Sequence, residues 1–366
     1  MKRGVIIALW LMVWLQLLIF QASSETKTPL GLPPVPVPKD NPQTKEKIAL
    51  GEKLFSDKRF SADGTISCST CHDPNKAFTD GLPVAEGIKK QKGTRNSPTV
   101  INAAYYTSQF WDGRAKSLEE QAKAPFINPV EHGLKDHSPI LEVIRKDRDY
   151  REAFKKVFGV KPKEITIDHV VKAIAAFERT VISGDSAFDR YMYGGDKSAM
   201  SESAIRGLEL FRTKARCQDC HSISQTSAIF TDNKFHNLGV GFNYIEPNLF
   251  DLVETVRKTI GAGKGIDESV LSKKEISELG RFVVTLDMED IGRFKTPSLR
   301  NVALTAPYMH DGSIKTLEEV VEFYNKGGEE NPMIDSGIRP LNLTEQEKGD
   351  LVEFMKALTS PTFMQK

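Results

Sequence analysis

Cysteine is scarce in this chain, with four among 366 residues. So few cannot make a dense disulfide framework, and their meaning rests on where they stand. An excess of charge of one sign is also missing: 50 Lys+Arg face 49 Asp+Glu, a formal net charge of +1. That balance excludes an acidic or basic tail protein. No basic stripe with interleaved aromatics occurs either, so nothing points to a nucleic-acid partner. Alternating strand patterns are rare, and long apolar runs are confined to the N-terminus. The length suits about two domains of roughly 150 residues each.

At the N-terminus, Lys2 and Arg3 precede an uncharged apolar run, Gly4 to Phe20, and then Gln21-Ala22-Ser23-Ser24. A positive start, an apolar middle and small residues near a cut site describe a secretory signal peptide. The expected signal covers residues 1–24, with cleavage after Ser24. The run is somewhat long for a signal and somewhat short for a spanning helix of about 20 residues, and an uncleaved membrane anchor is the alternative. Without Lys2 and Arg3 the remaining chain is nearly neutral, and it is expected to be exported and soluble.

All four cysteines fall in Cys-x-x-Cys-His: Cys68-Ser-Thr-Cys71-His72 and Cys217-Gln-Asp-Cys220-His221. Two thiols at this spacing can add to the two vinyl groups of one haem, and the adjacent imidazole then ligates the iron. Disulfides within each pair would close tiny loops and constrain little. A single structural zinc would need both pairs together, yet they lie far apart in the chain. A thioredoxin-like site needs a βαβ context that neither motif has. None of these readings uses the histidines. With seven His in the chain, both motifs gaining one by chance has a probability of about 4 in 10,000. Two covalent haems c are expected.

The chain repeats itself around these motifs. Gly51-Glu-Lys-Leu54-Phe55 and Gly207-Leu-Glu-Leu210-Phe211 stand upstream. Downstream, Pro98-Thr-Val-Ile-Asn102, Trp111-Asp112-Gly113 and Lys116-Ser-Leu118-Glu119-Glu120 recur 199 positions later as Pro297-Ser-Leu-Arg-Asn301, His310-Asp311-Gly312 and Lys315-Thr-Leu317-Glu318-Glu319. Duplication on this scale predicts two similar domains, each holding a haem. The boundaries are set at 25–190 and 191–366. Helical periodicity runs from Ile165 to Phe188 with a break at Ser183-Gly184-Asp185, and helices are also predicted over Leu271–Leu286 and Leu343–Leu358. The last begins with the capping box Thr344-x-x-Glu347. The proline-rich stretch Pro29 to Pro42 reads as an extended arm across the surface. The fold class is mostly α, two tandem cytochrome c-like domains.

These features resemble the bacterial dihaem cytochrome c peroxidases and their MauG relatives over nearly the whole chain beyond the signal. The resemblance rests on both haem motifs and on Gln109-Phe-Trp111-Asp-Gly-Arg114. It extends to Phe230-Thr-Asp-Asn-Lys-Phe-His236-Asn-Leu-Gly239 and Leu299-Arg-Asn-Val-Ala-Leu-Thr-Ala-Pro-Tyr-Met-His310-Asp-Gly312. It implies a peroxide-reactive N-terminal haem with His72 as proximal ligand, and a C-terminal electron-collecting haem with His221. It further implies Trp111 between the haems, Gln121 and Glu131 on the peroxide side, and a calcium ion held by Asn96, Thr305 and Pro307. A periplasmic location and pairing as a homodimer go with the family.

The chemistry of the residues agrees. Splitting peroxide needs a base that moves a proton from the near oxygen to the far one, as Glu131 could, and the Gln121 amide could orient the peroxide. On composition alone Glu131 is a surface carboxylate and Trp111 a core aromatic, although Trp111 is the only tryptophan beyond the signal segment. Oxygen atoms of Asn96, Thr305 and Pro307 suit calcium, and the same residues could instead form a capped turn. Lys89, Lys90, Lys92 and Arg95 make a basic patch that reads as a solvated loop.

Two departures narrow the function. Many family peroxidases block the first haem with a second histidine, whose position falls at Ile88; this iron is expected to be open to peroxide without prior reduction. At the second haem the usual methionine is replaced by Tyr324, as in the MauG branch, while the first-half counterpart is Pro125, which cannot ligate. An anionic phenolate favours the higher oxidation states, so a His221/Tyr324 haem would store an oxidising equivalent better than it accepts electrons. Met309 or Met333 is the alternative ligand. Three functions follow: a peroxidase fed by a small cytochrome or cupredoxin, a MauG-like peroxide-dependent oxidation of a protein substrate, or a dihaem electron carrier. Against full MauG function, Ala215 stands where that enzyme has a tryptophan.

Overall fold

The structure is a computed structural model that describes residues 28–263 and 272–364; the expected signal segment, residues 1–24, lies outside them. The helices that position the sites are α1 (Lys45–Phe55), α2 (Ile167–Glu178), α3 (Glu202–Arg212), α4 (Lys274–Glu278), α5 (Leu317–Lys326) and α6 (Glu345–Lys356). Among the described residues, sheet structure amounts to β1 (Phe235–His236) paired antiparallel with β2 (Phe294–Lys295). The protein is mostly helical, as expected.

Two crossed helix pairs repeat one design, α1 on α2 and α3 on α6. Each crossing passes over a glycine, because any side chain there would collide with the partner helix. A Cβ on Gly51 would come within 2.9 Å of Phe177 Cβ, and one on Gly207 within 2.8 Å of Phe354 Cβ. The first pair buries Leu50, Leu54, Phe55, Val170, Val171 and Ile174 in one core; the second buries Leu208, Phe211, Leu351 and Phe354 in another. The first core runs to Val181 and the second starts at Phe188. Burial of such side chains contributes about 1.5–3 kcal/mol each, which is what holds both halves.

The repeat continues in hydrogen bonds. Ser117 and Thr316 cap equivalent helices, each hydroxyl accepting from the backbone N–H of Glu120 or Glu319 at 3.1 Å. Asn102 and Asn301 are both fully buried with left-handed backbone, φ +63° and +59°. They meet at Ser183: Asn102 donates to its carbonyl and Asn301 to its hydroxyl, each at 2.9 Å. The join between the halves is therefore a satisfied polar knot rather than a loose linker.

Two expectations are corrected in detail, and the proline-rich arm gains anchor points. The predicted helix over Leu271–Leu286 is two short ones, α4 and Phe282–Thr285, with Leu271 outside the described residues. Gly280 breaks it at φ +61°, where its backbone lies against that of Arg293. These segments join Phe242, Ile245, Val253 and Val256 in a third small core that has no counterpart in the first half. The basic patch is not one solvated loop, since Arg95 is buried; its guanidinium donates to Asp112 at 2.6 Å and to Ser277 at 2.8 Å. The proline-rich arm is fastened: Gly31 O accepts from Ala228 N at 3.0 Å and from Arg300 at 2.8 Å. Helix α6 agrees with expectation, Thr344 and Glu347 exchanging the two capping bonds at 3.3 and 2.7 Å.

Candidate functional site

Both Cys-x-x-Cys-His motifs turn back on themselves, His72 N donating to Cys68 O at 3.0 Å and His221 N to Cys217 O at 2.8 Å. Each imidazole is then fixed by a phenylalanine carbonyl. His72 Nδ1 lies 3.3 Å from Phe78 O, and His221 Nδ1 lies 2.9 Å from Phe230 O. Phe78 and Phe230 share a left-handed backbone, φ +57° and +56°, which aims those carbonyls inward. An Nδ1–H held in this way leaves Nε2 as the lone-pair nitrogen, the arrangement an iron ligand needs. Burial pushes both histidine pKa values down, which keeps the imidazoles neutral. None of the four cysteines is in a disulfide. The residues fit two haems c, with Cys68/Cys71/His72 holding one and Cys217/Cys220/His221 the other.

A cavity of about 760 Å³ collects the residues of the second motif and of the join between the halves. Cys217, Cys220, His221, Tyr324, Trp111, Asn96, Thr305 and Pro307 all border it. Tyr324 sits on α5, and its phenol is pushed up first by burial and then by the Cys217 and Cys220 thiols, which places it beside the motif. Met309 borders the same cavity, whereas Met333 packs on the third core. Ala215 is buried in the wall.

Asn96 ties the join together. Its backbone O accepts from Trp111 Nε1 at 2.9 Å, and its N donates to His310 O at 2.7 Å. Trp111 and His310 are equivalent positions of the repeat, so one residue grips both halves. The Asn96 amide nitrogen donates to Leu82 O at 2.9 Å, which leaves Oδ1 as its candidate cation ligand.

Glu131 lies on the loop Asn128–Gly133, whose turn is held by Asn128 Oδ1 accepting from Val130 N at 2.9 Å and Glu131 N at 3.2 Å. His132 buries its ring beneath, Nδ1 3.0 Å from Phe60 O. Ile88 N donates to Glu131 O at 2.9 Å, and the Ile88 side chain is buried against Gly133. Burial first and Glu131 second push the Cys71 thiol up to about 12, so the carboxylate is near the first motif. Gln121, half-buried, ends the one-turn helix Leu118–Gln121.

Several residues here were given no role by the sequence. His310 is buried, its Nε2 2.6 Å from Glu278 Oε2 and its ring stacked on Phe294. Lys295 is buried with Nζ donating to Ser108 O at 2.8 Å, and burial pushes its pKa down to about 7. His236 lies between Asp335 and Asp232; hydrogen bonding, from Asp335 first, raises its pKa to about 11. Only the family resemblance over Phe230–Gly239 pointed near it.

Comparison with known proteins gives a consistent result. The family model for di-haem cytochrome c peroxidase matches residues 45–197. Cytochrome-c peroxidase IdrP1 of Pseudomonas sp. (strain SCT) is 40% identical over 343 residues, covering 92% of this chain and 87% of that protein. Methylamine utilization protein MauG of Methylorubrum extorquens is 38% identical over 324 residues, 88% of this chain and 81% of that one. Among solved structures, a MauG-like protein associated with microbial copper homeostasis aligns with TM-score 0.76 at 34% identity, covering 92% and 96% of the two chains.

Proposed function

The chain belongs to the di-haem cytochrome c peroxidase family, whose members are oxidoreductases acting on peroxide, and from that premise we propose that it reduces hydrogen peroxide to water at its first haem. One peroxide takes up two electrons and two protons and leaves as two waters. A haem held by Cys68, Cys71 and His72 would supply the redox-active iron at which peroxide is reduced. Glu131 takes the proton from the near oxygen and returns it to the far one, and Gln121 orients the molecule. Residues 25–190 would hold this haem and residues 191–366 a second one, through Cys217, Cys220 and His221, with Tyr324 as the candidate further ligand. Trp111 passes electrons between them. A calcium ion held by Asn96, Thr305 and Pro307 keeps that join rigid.

The observation that carries the reading is the Ile88–Glu131 clamp. A side chain that cannot ligate iron fills position 88, and its own backbone fixes the loop bearing the base. The electron donor is a small cytochrome or cupredoxin, and the protein works in the periplasm after export, as a homodimer. Among the described residues no helix is long and apolar enough to cross a membrane.

A second reading, peroxide-dependent oxidation of a protein as in MauG, is favoured by one feature. Tyr324 is half-buried beside Cys217 and Cys220, where a phenolate ligand would hold a second haem oxidised. Ala215 argues against the tryptophan route that MauG uses. Both readings share the first haem. Replacing Glu131 by Gln in the two-haem protein should lower peroxide turnover about 10²–10⁴-fold with haem content unchanged. Undiminished turnover would remove Glu131 from the mechanism.

A further inference from the structure

We propose that Glu178 is an acid in the wall of the first haem's cavity, and that it releases a proton to solvent when that iron is oxidised and takes one up when it is reduced. The inference rests on the haem reading of Cys68, Cys71 and His72.

The repeat places the residue. Gly51 meets Phe177 at the first helix crossing, and Gly207 meets Phe354 at the second. Glu178 follows Phe177 as Met355 follows Phe354. Met355 borders the cavity of the second motif together with Cys217, Cys220 and His221. Position 178 therefore takes the corresponding place in the first half, on the side of its haem motif. A separate observation agrees: burial raises the Cys68 thiol, and Glu178 is the next largest contribution, so the carboxyl stands near the point of haem attachment.

The carboxyl is also unusual in its surroundings. Glu178 is 5% exposed, and its Oε2 has no hydrogen-bond partner. A buried, unbonded carboxylate is costly, so the group is expected to hold a proton whenever its neighbourhood lacks positive charge. The charged groups facing it are Arg179 on its own helix and Glu119 on the Leu118–Gln121 turn. They largely cancel, because Arg179 Nη2 bonds both Glu119 oxygens at 2.8 and 2.9 Å. Burial dominates and pushes Glu178 up to about 8. The second half offers an uncharged thioether at the same place.

Oxidation of ferrous to ferric iron adds one positive charge to the haem. The step balances as ferrous haem with Glu178–COOH giving ferric haem with Glu178–COO⁻, one electron and one proton. The electron goes to the redox titrant or to peroxide, and the proton goes to solvent. In a low-dielectric wall this compensation is strongly favoured, because the net charge of the site does not change.

The test is a spectroelectrochemical titration of both haems in the two-haem protein at pH values from about 6 to 9, the range around which such a raised carboxyl titrates. The first-haem potential should fall as pH rises, approaching the tenfold change per pH unit of one proton per electron, about 59 mV. In Glu178→Gln and Glu178→Met the slope should flatten, in Glu178→Asp it should persist, and the second haem should be the same in all. A flat profile in the wild type overturns the proposal, and so does an undiminished slope in Gln and Met variants that carry two haems. Should both neutral variants fail to load haem, the Asp variant and the wild type decide, since identical loading with no slope in either overturns it. Mass spectrometry showing no haem on the Cys68–Cys71 peptide would overturn the haem reading itself, which keeps the two failures apart.

Discussion

The backbone N–H of Ile88 donates to the carbonyl of Glu131 at 2.9 Å. The residue standing where many family peroxidases place a blocking histidine thus builds the loop that carries the proposed base. Ile88 is buried, with its Cδ1 against Gly133, so the position is filled by apolar packing and offers the iron nothing.

Restoring a ligand there should restore a block. In Ile88→His the first haem is expected to become low-spin at rest, and peroxide should react only after one electron is supplied. Electron paramagnetic resonance before and after half-reduction checks this; an unchanged high-spin signal would mean that position 88 does not reach the iron.

At the second haem, Tyr324→Phe removes the proposed phenolate. The potential of that haem should rise, since an anionic ligand favours the oxidised state, and its low-spin signal should give way to a high-spin one. If the spectrum is unaltered, Met309, which borders the same cavity, becomes the ligand to examine.

Asp112 links the haem join to acid stability. Burial pushes its carboxyl up, but Arg114 and Arg95 outweigh burial and hold it at about 2. A depressed carboxylate contributes stability above its unfolded pKa of about 3.9 and loses it as pH falls through the folded value. Denaturant melts should therefore show stability declining from about pH 4 towards pH 2, and Asp112→Asn should have a shallower decline over that window.

The arm and the second half share one buried ion pair, Arg300 with Asp189 at 2.8 Å, both essentially fully buried. Arg300 also holds Gly31 O and Ala228 O. Asp189→Ala leaves that guanidinium buried without its counter-charge and should cost about 3–5 kcal/mol. Chemical denaturation measures the loss, and limited proteolysis near Gly31 should quicken with it.

Much of the molecule was legible because its chemistry is local. The Thr344–Glu347 capping box is a short pattern of this kind, and its two bonds are made; the repeat around the motifs reappears as two matched helix crossings at Gly51 and Gly207. What stayed hidden depends on long sequence separations. Glu278 reaches His310 from a small core present in only one half, so the repeat could not announce it. Arg95 looked like its lysine neighbours until Ser277, 182 residues away, received its guanidinium. Glu178 reads as an ordinary helix acid; its burial follows from the crossing at Gly51, which only the packing reveals.

The central claim is that the first iron accepts peroxide without prior reduction while Tyr324 lets the second share the oxidation. Stoichiometric hydrogen peroxide added to the fully oxidised two-haem protein, followed by rapid optical and electron paramagnetic resonance spectra, tests it most directly. The account predicts that the high-spin signal disappears at once and that the low-spin haem is oxidised with it. If neither signal changes until one electron has been supplied, the iron is blocked at rest, and the reading of Ile88 is wrong.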